Sequence, residues 1–389
     1  MKISAIIAEY NPFHLGHMYH IQRTKVSRDS KIIAIMSGNF TQRGEPTLFD
    51  KWCRARMALC SGVDMVIELP TLFATASSEG FARGAVSILN GLNAVDTLSF
   101  GSEEDDISLI DTLASLLIAE EGVYKKALTA YLKKGVSFAA ARSNAVREIY
   151  GERFSSFMDK PNAILALEYI KALKAAVSPI RPYAVKRKNA GYLSAELEGP
   201  ISSALSIRKA LQKGNGGWED SVPKSTADLF STPIFEDALF PFLSFFLRTQ
   251  DRESISQIRG VAEGLENKLI EAAEHASDYA SLLRGVKSKR YAMARIKRIL
   301  VSCLLGITKD LERQILKEQP YARVLGVKKE SIEMLSYLAK NSSIPIITSP
   351  AKHSCTSLAL DMKATDIYSL LKTPPDPAKK DCTTALLII

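Results

Sequence analysis

Cysteine is sparse and scattered in this 389-residue chain. Cys53, Cys60, Cys303, Cys355 and Cys382 are odd in number, and no two stand at C-x-x-C spacing. That argues against a disulfide framework and against a zinc ribbon. Long apolar runs are missing too. Ala238 to Leu247 contains Pro241 and is too short to span a bilayer, and Met1 to Ala8 meets Glu9 before it reaches the length of a signal peptide. There is no internal repeat and no low-complexity segment. The expectation is a cytoplasmic protein in a reducing compartment, with no membrane partner. What remains is an ordinary globular composition, 46% apolar and 24% charged, long enough for two domains. The net charge of +9 favours a polyanion such as nucleic acid as partner, which speaks to attraction and not yet to function.

Strand, turn and helix follow one another at the start of the chain. The apolar run Ile3 to Ala8 reads as a short buried strand, Asn11-Pro12 breaks it, and an amphipathic pattern resumes at Gly16 with Met18, Ile21 and Gln22. His14 and His17 flank Gly16 where the helix begins, so both imidazoles can converge with the first free backbone N–H groups on one anion. A nucleoside triphosphate fits that description, and a side chain at Gly16 would hold its base or ribose off the backbone. His20 adds a third histidine and with it a zinc reading, which is weaker because a structural site wants four closed ligands. Helix-face histidines satisfied by their neighbours are the plain structural alternative. The strand before and the helix after favour nucleotide binding.

Apolar runs recur at Lys31 to Met36, Asp64 to Leu69 and Val95 to Phe100, with helical patterns at Leu48 to Leu59 and Ser78 to Leu89 between them. This alternation predicts a parallel, doubly wound sheet with its ligand at the carboxyl ends of the strands, where Gly38, Pro70 and Gly101 fall. Residues 106–150 read as helical. Pro161-Asn162 opens another helix, and Ser178 to Val185 reads as a last strand leading to Lys186-Arg187-Lys188. Gly214 to Gly217 looks like a linker; from Pro233 the pattern is mainly helical, with a short strand at Ile344 to Thr348. The expected fold is α/β, a Rossmann-like parallel-sheet domain over 1–215 followed by a mainly α-helical, basic domain over 216–389.

Two further stretches carry chemistry. In Ile201-Ser202-Ser203-Ala204-Leu205-Ser206-Ile207-Arg208 the serines offer hydroxyl and N–H groups at a helix start, with Arg208 one turn in, a cradle for β- and γ-phosphates. A serine-capped surface helix is the bland alternative. Arg284 to Arg298 holds seven basic residues and no acid. On a helix, Ala292, Ile296, Ile299 and Cys303 form a buried stripe while Lys287, Lys289, Arg290, Arg295 and Arg298 are left to meet RNA phosphates, a reading preferred over a solvated basic face.

His14-Leu15-Gly16-His17 is similar to the His-x-Gly-His signature of the nucleotidyltransferase and class I aminoacyl-tRNA synthetase superfamily, and Ile201 to Arg208 resembles the Ile-Ser-Ser/Thr-x-x-Ile-Arg motif that accompanies it. Nearly the whole chain resembles the bacterial tRNA(Met) cytidine acetate ligases. The resemblance rests on Glu9-Tyr10-Asn11-Pro12-Phe13-His14, Ser37-Gly38-Asn39-Phe40-Thr41-Gln42-Arg43-Gly44-Glu45-Pro46, Asp50-Lys51-Trp52, Ile67-Glu68-Leu69-Pro70 and Phe100-Gly101-Ser102-Glu103. Lys160-Pro161-Asn162, Lys289-Arg290-Tyr291 and Arg323-Val324-Leu325-Gly326 extend it. It implies a nucleotidyltransferase-like catalytic domain that activates acetate with ATP to acetyl-adenylate and transfers the acetyl group to N4 of the wobble cytidine of elongator tRNA-Met. It also implies ATP contacts along Ile7-Ala8-Glu9-Tyr10-Asn11-Pro12-Phe13-His14-Leu15-Gly16-His17-Met18-Tyr19-His20, completed by Gly101, Asn162 and Arg187-Lys188.

The residues suit those roles. Acetate is a poor acyl donor, so one of its oxygens must displace pyrophosphate, and charge on five-coordinate phosphorus needs donors held in place; His14, His17 and Arg208 are the catalytic candidates, with Ser202 and Ser203 beside them. Asn162 either reads adenine edges or simply starts a helix, and Gly101 either admits the nucleotide to the backbone or makes a strand-end turn. Arg43 can pair with the acetate carboxylate or with pyrophosphate. Mg²⁺ is expected to ride on the ATP phosphates, with no metal site in the protein itself. Two other readings share the motifs: a small-molecule adenylyltransferase of coenzyme metabolism, and a non-catalytic, nucleotide-regulated tRNA-binding factor. The basic helical region weighs against the first and the intact histidines against the second.

Overall fold

Runs that are apolar on both faces build the centre of the molecule. The structure is a computed structural model and describes every residue except 26, 28, 104–106, 120, 188–201 and 289–290, together with the side chains of 121 and 159. Ile3–Ala8 (β1), Lys31–Ser37 (β2), Met65–Leu69 (β3), Thr97–Ser102 (β4) and Arg181–Lys186 (β5) lie parallel in the order β5-β4-β1-β2-β3. Helices cover both faces, which is why β2 and β3 carry almost no polar side chain. Leu15–Thr24 (α1) and Lys51–Cys60 (α2) cover one face through Ile21, Ala55 and Leu59 against Ile6, Ile32 and Val66. After the short Thr71–Ala74 (α3), Ser78–Gly91 (α4) and the helix Pro161–Ala175 cover the other, through Phe81, Leu89 and Leu167 against Ile35, Ile67 and Leu98. The strand order reverses at β1, so a crevice opens at the carboxyl ends of β1 and β4.

The expected division at 215/216 does not follow the sheet. Ala322–Val327 (β6) pairs antiparallel with β3, and Ile346–Ile347 (β7) and Leu387–Ile388 (β8) both pair parallel with β6. Left as an edge, β3 would expose a fully buried run and a row of unpaired backbone groups; β6 removes both. Residues 216–389 therefore comprise a helical body and a return to the sheet. The helices Phe240–Thr249, Leu265–His275, Tyr279–Val286, Met293–Leu305 and Thr356–Leu370 share a second core. That core reaches Phe40 and Leu72, just beyond the ends of β2 and β3. Among the described residues, no helix is long and apolar enough to cross a membrane.

A buried charge cluster fastens the return. Lys51 Nζ, at the start of α2, lies 2.8 Å from Glu68 Oε1 on β3 and 2.8 Å from Asp381 Oδ1. Arg323 on β6 places Nη1 2.9 Å from Glu68 Oε2 and turns Nη2 onto Asp381. Two cations and two carboxylates neutralise one another in a site all but closed to water. Removing one member strands a charge in that interior, which costs far more than the assembled cluster contributes. Asp381→Ala should therefore lower the unfolding free energy by about 3–5 kcal/mol in urea titrations. A loss below about 1 kcal/mol, the range of a surface pair, would refute the cluster.

Candidate nucleotide site

The start of α1 is organised by its own histidines. His14 is the N-cap in extended backbone (φ −144°), and its Nδ1 accepts the Gly16 N–H at 3.0 Å; in return His17 Nδ1 accepts the His14 N–H at 3.2 Å. The two rings stack with centroids 3.7 Å apart. Because both Nδ1 atoms are acceptors, each neutral ring carries its proton on Nε2. Burial holds both rings neutral, with Arg187 and Arg208 assisting at His14, whose pKa falls to about 3, and with His14, Arg187 and His20 assisting at His17.

His20 is fixed from the other side of the crevice. The Thr24 hydroxyl donates to the His20 carbonyl at 2.9 Å, so the Ser99 hydroxyl must donate to Thr24 Oγ1 at 2.7 Å, and Ser99 Oγ then accepts His20 Nε2–H at 2.9 Å. Burial, with Arg187, lowers its pKa to about 4. The three rings thus spend nitrogens on protein partners. Among the described residues, no group of three His, Cys, Asp or Glu is placed to hold a metal.

A cavity of about 220 Å³ lies at the reversal point of the sheet. Ile7, Ala8, Glu9, Tyr10 and Asn11 form its floor at the end of β1, with His14, Gly16, His17, Tyr19 and His20 along α1. Gly101 and Asn162 close one side, Arg187, Ser202, Ser203 and Arg208 another, and Arg43 reaches in from the loop after β2. Sequence elements spread over two hundred positions meet here. Four expected ATP contacts do not: Pro12, Phe13, Leu15 and Met18 are absent from the wall. Phe13 is fully buried against Tyr10, ring centroids 4.9 Å apart, and Met18 packs on the same core, because that face of α1 covers the sheet. Lys188, like Ile201, lies outside the described residues.

Several walls are pinned by hydrogen bonds. Arg208 Nη1 donates to the Asn11 carbonyl at 2.8 Å, laying the guanidinium across the turn. Ser203 caps the helix Ala204–Gln212 by accepting the Ser206 N–H at 3.1 Å, so its oxygen serves the helix while the helix start faces the cavity. The stem of Arg187 crosses Gly101, where an added Cβ would stand 3.4 Å from its Cγ. Asn162 gives its amide N–H to Glu103. Glu9 accepts the Gln42 N–H at 2.7 Å, and burial still pushes its carboxyl pKa up.

Sequence reasoning missed what holds the loop after β2. Arg54, fully buried on α2, donates to the carbonyls of Phe49 (3.0 Å), Glu9 (2.6 Å) and Ser37 (3.1 Å), and to that of Gly38; among the described residues no carboxylate makes a contact ion pair with it, and Asp50 and Glu9 act on it only at longer range. The loop itself folds back through a Phe40–Pro46 bridge, which brings Gln42 and Glu45 into the wall beside Arg43. Their place next to Arg43 at a strand end was the available signal. The apolar wall of Phe81, Phe100, Leu165 and Tyr169 gave none, since helical periodicity alone marks such residues as core.

The basic stretch is not one helix. Tyr279–Val286 ends at its C-cap Lys287, and the next helix starts at Met293 with Ala292 as an exposed N-cap, so Ala292 falls outside the expected buried stripe and Lys287 is not on the helix that carries Arg295 and Arg298. Ile296, Ile299 and Cys303 are buried as expected. Lys287 and Arg295 are exposed, the latter 4.6 Å from the Tyr291 ring centre. Arg298 turns inward to the Gln42 carbonyl at 3.3 Å, and burial lowers its pKa to about 10. Lys289 and Arg290 lie outside the described residues.

The chain matches the family described as HIGH Nucleotidyl Transferase over residues 1–382. It is 42% identical over 388 residues to a Thermoanaerobacter sp. (strain X514) protein named tRNA(Met) cytidine acetate ligase, covering 95% of each. A Clostridium kluyveri protein of the same name is 41% identical over 390 residues, again covering 95% of each. The crystal structure of Thermotoga maritima TmcAL bound with alpha-thio ATP superposes with a TM-score of 0.90 at 33% identity, covering 100% of both chains.

The depressed histidines set the sign of the response to acid. His20 and His14 titrate near 4 and 3 in the fold against about 6.5 in the unfolded chain. Below about pH 6.5 the unfolded chain binds the extra protons, so stability is full above that value and declines as pH falls towards 4. Urea midpoints measured between pH 7 and 4.5 should fall accordingly. His20→Gln should remove about one proton from the slope, ~1.4 kcal/mol per pH unit, and an unaltered slope would show that His20 titrates normally.

Proposed function

We propose a reaction on one premise: the chain belongs to the tRNA(Met) cytidine acetate ligase family, within the HIGH nucleotidyl transferases. It is an ATP-dependent ligase. The reading in detail is activation of acetate to acetyl-adenylate and acetylation of N4 of the wobble cytidine of elongator tRNA-Met, in the cytoplasm, where these substrates meet.

The observation that carries this reading is the convergence, in one crevice, of the His14 and His17 rings with Nε2 protonated and of Arg208. An acetate oxygen attacks the α-phosphorus of ATP, the bond to the bridging oxygen breaks, and pyrophosphate leaves. Neutral imidazole N–H groups take the α-phosphate, and Arg208 draws off the β- and γ-phosphates. Arg43, from the loop after β2, meets the acetate carboxylate. The cytidine amine then attacks the acetyl carbonyl, AMP departs with the bonding electrons, and one amine proton is released. Mg²⁺ travels with the triphosphate. The wall's carboxylates have other partners, Glu9 the Gln42 N–H and Glu45 Lys297 2.8 Å away, so the ion would depend mainly on phosphate and water ligands. Exposed Lys287 and Arg295 are the described members of the surface that takes tRNA, and Arg295 shares its helix with Arg298, which touches the site loop.

The test is incubation with ATP·Mg²⁺, labelled acetate and elongator tRNA-Met, followed by nucleoside mass analysis, beside a His14→Ala/His17→Ala variant. Acetylated cytidine should form and should drop at least about a hundredfold in the variant. Adenylate without acetylated nucleoside would redirect the search to other acyl acceptors. Arg43→Ala should raise the acetate KM about tenfold, and unchanged acetate kinetics would remove Arg43 from the acetate site.

A further inference from the structure

One carboxylate joins the nucleotide wall to the helical body. Glu45 Oε1 lies 2.8 Å from Lys297 Nζ, and its Oε2 lies 3.8 Å from Arg208 Nη2. Lys297, on the helix Met293–Leu305, is also paired with Glu236 at 2.5 Å, and it is not part of the cavity wall. The contact has no slack. Gly44 (φ +76°) rests on that helix so closely that an added Cβ would stand 2.3 Å from Arg298 N and 2.7 Å from the Lys297 carbonyl oxygen. Thr41 N–H to Glu45 O at 2.9 Å and Gly44 N–H to Thr41 O at 3.0 Å fix the loop internally.

We propose that Lys297 is a positioning residue for ATP binding: it holds the Glu45 carboxylate off Arg208, so that Arg208 is left to the triphosphate. This rests on the reading that Arg208 meets the phosphates. The geometry supports an unequal sharing. Glu45 makes a contact ion pair with Lys297 and stands about one ångström too far to make one with Arg208, whose Nη1 is committed to Asn11. Despite burial, Lys297 and then Arg208 hold the Glu45 pKa below its usual range, so it is a full negative charge facing a polyanion site. Without Lys297, that charge has only arginines of the cavity to neutralise it. It would close on Arg208 and compete with the phosphates.

Calorimetry of ATP binding to the full chain tests this without depending on acetate or tRNA. Lys297→Met should weaken ATP binding about tenfold at a temperature where the variant is folded, since unpairing Glu45 and Glu236 also lowers its melting temperature. Adding Glu45→Gln to it should restore binding to the level of Glu45→Gln alone, because the competing charge is gone. If Lys297→Met does not fold, Lys297→Gln, which keeps the hydrogen bonding and loses the charge, takes its place. A lysine that only anchored its helix would give a defect that Glu45→Gln leaves in place or deepens, and that result overturns the proposal. So does unaltered binding in the lysine variant. Arg208→Ala separates the two levels: lost binding there with a silent Lys297 variant removes this inference alone, whereas a silent Arg208→Ala removes the phosphate role of Arg208 and this inference with it.

Discussion

Arg54 gathers the carbonyls of Glu9, Ser37, Gly38 and Phe49, and the geometry of the site depends on that single buried guanidinium. A buried cation with no carboxylate partner is stable only if its donors are filled, and here backbone at the ends of β1 and β2 fills them. Burial pulls its pKa down, but an arginine remains charged at any physiological pH. The two strand ends cannot drift apart without stranding that charge. The turn that presents the histidines and the loop that presents Arg43 are therefore held in one frame, and lysine, with a rounder charge and fewer donors in a fixed fork, would not hold both.

The electrostatics of the crevice divide the work between two kinds of donor. His14 and His17 stay neutral, locked by reciprocal hydrogen bonds, and act through N–H dipoles. Net positive charge comes from Arg43, Arg187, Arg208 and Lys186 on the described wall. Such a division suits a reaction in which charge moves from an attacking oxygen through the α-phosphorus onto a departing pyrophosphate: fixed dipoles need no proton exchange when the α-phosphorus becomes five-coordinate, and guanidinium groups can follow the leaving group.

The parallel half of the fold was legible because each of its first four strands is a short apolar run between breakers, and the crevice follows from their order. β6 was not. Arg323 and Gly326 interrupt its apolar pattern, and its partner β3 is remote in sequence; no local periodicity announces a pairing between Ile67 and Val324. Where a backbone turn and a residue type coincide, as at His14, Gly16, His17 and Arg208, the residues singled out from sequence do line one cavity. Met18 and Phe13 pack on the core and not on the cavity wall, because a continuous stretch does not present every residue to one side: the helix turns Met18 inward, and Phe13 is buried before the helix begins. Reading residues 284–298 as one helix failed for a related reason: charge composition carries no signal for where a helix stops, and the break after Val286 leaves Lys287 as a cap.

The antiparallel strand β6 also has a meaning for how the molecule is made. Glu68 and Arg323, partners in the finished sheet, are 255 residues apart. A chain emerging from the ribosome can assemble β1 to β5 from neighbouring segments, but β3 keeps an open apolar flank until nearly the last part of the chain appears. Closing so long a loop is slow, and an unpaired strand edge invites other chains during the delay. Glu68, near the end of that edge, has Lys51 as its first counter-charge but lacks Arg323 until β6 arrives, so during synthesis a carboxylate with one of its two cations stands on the strand it later helps to bury.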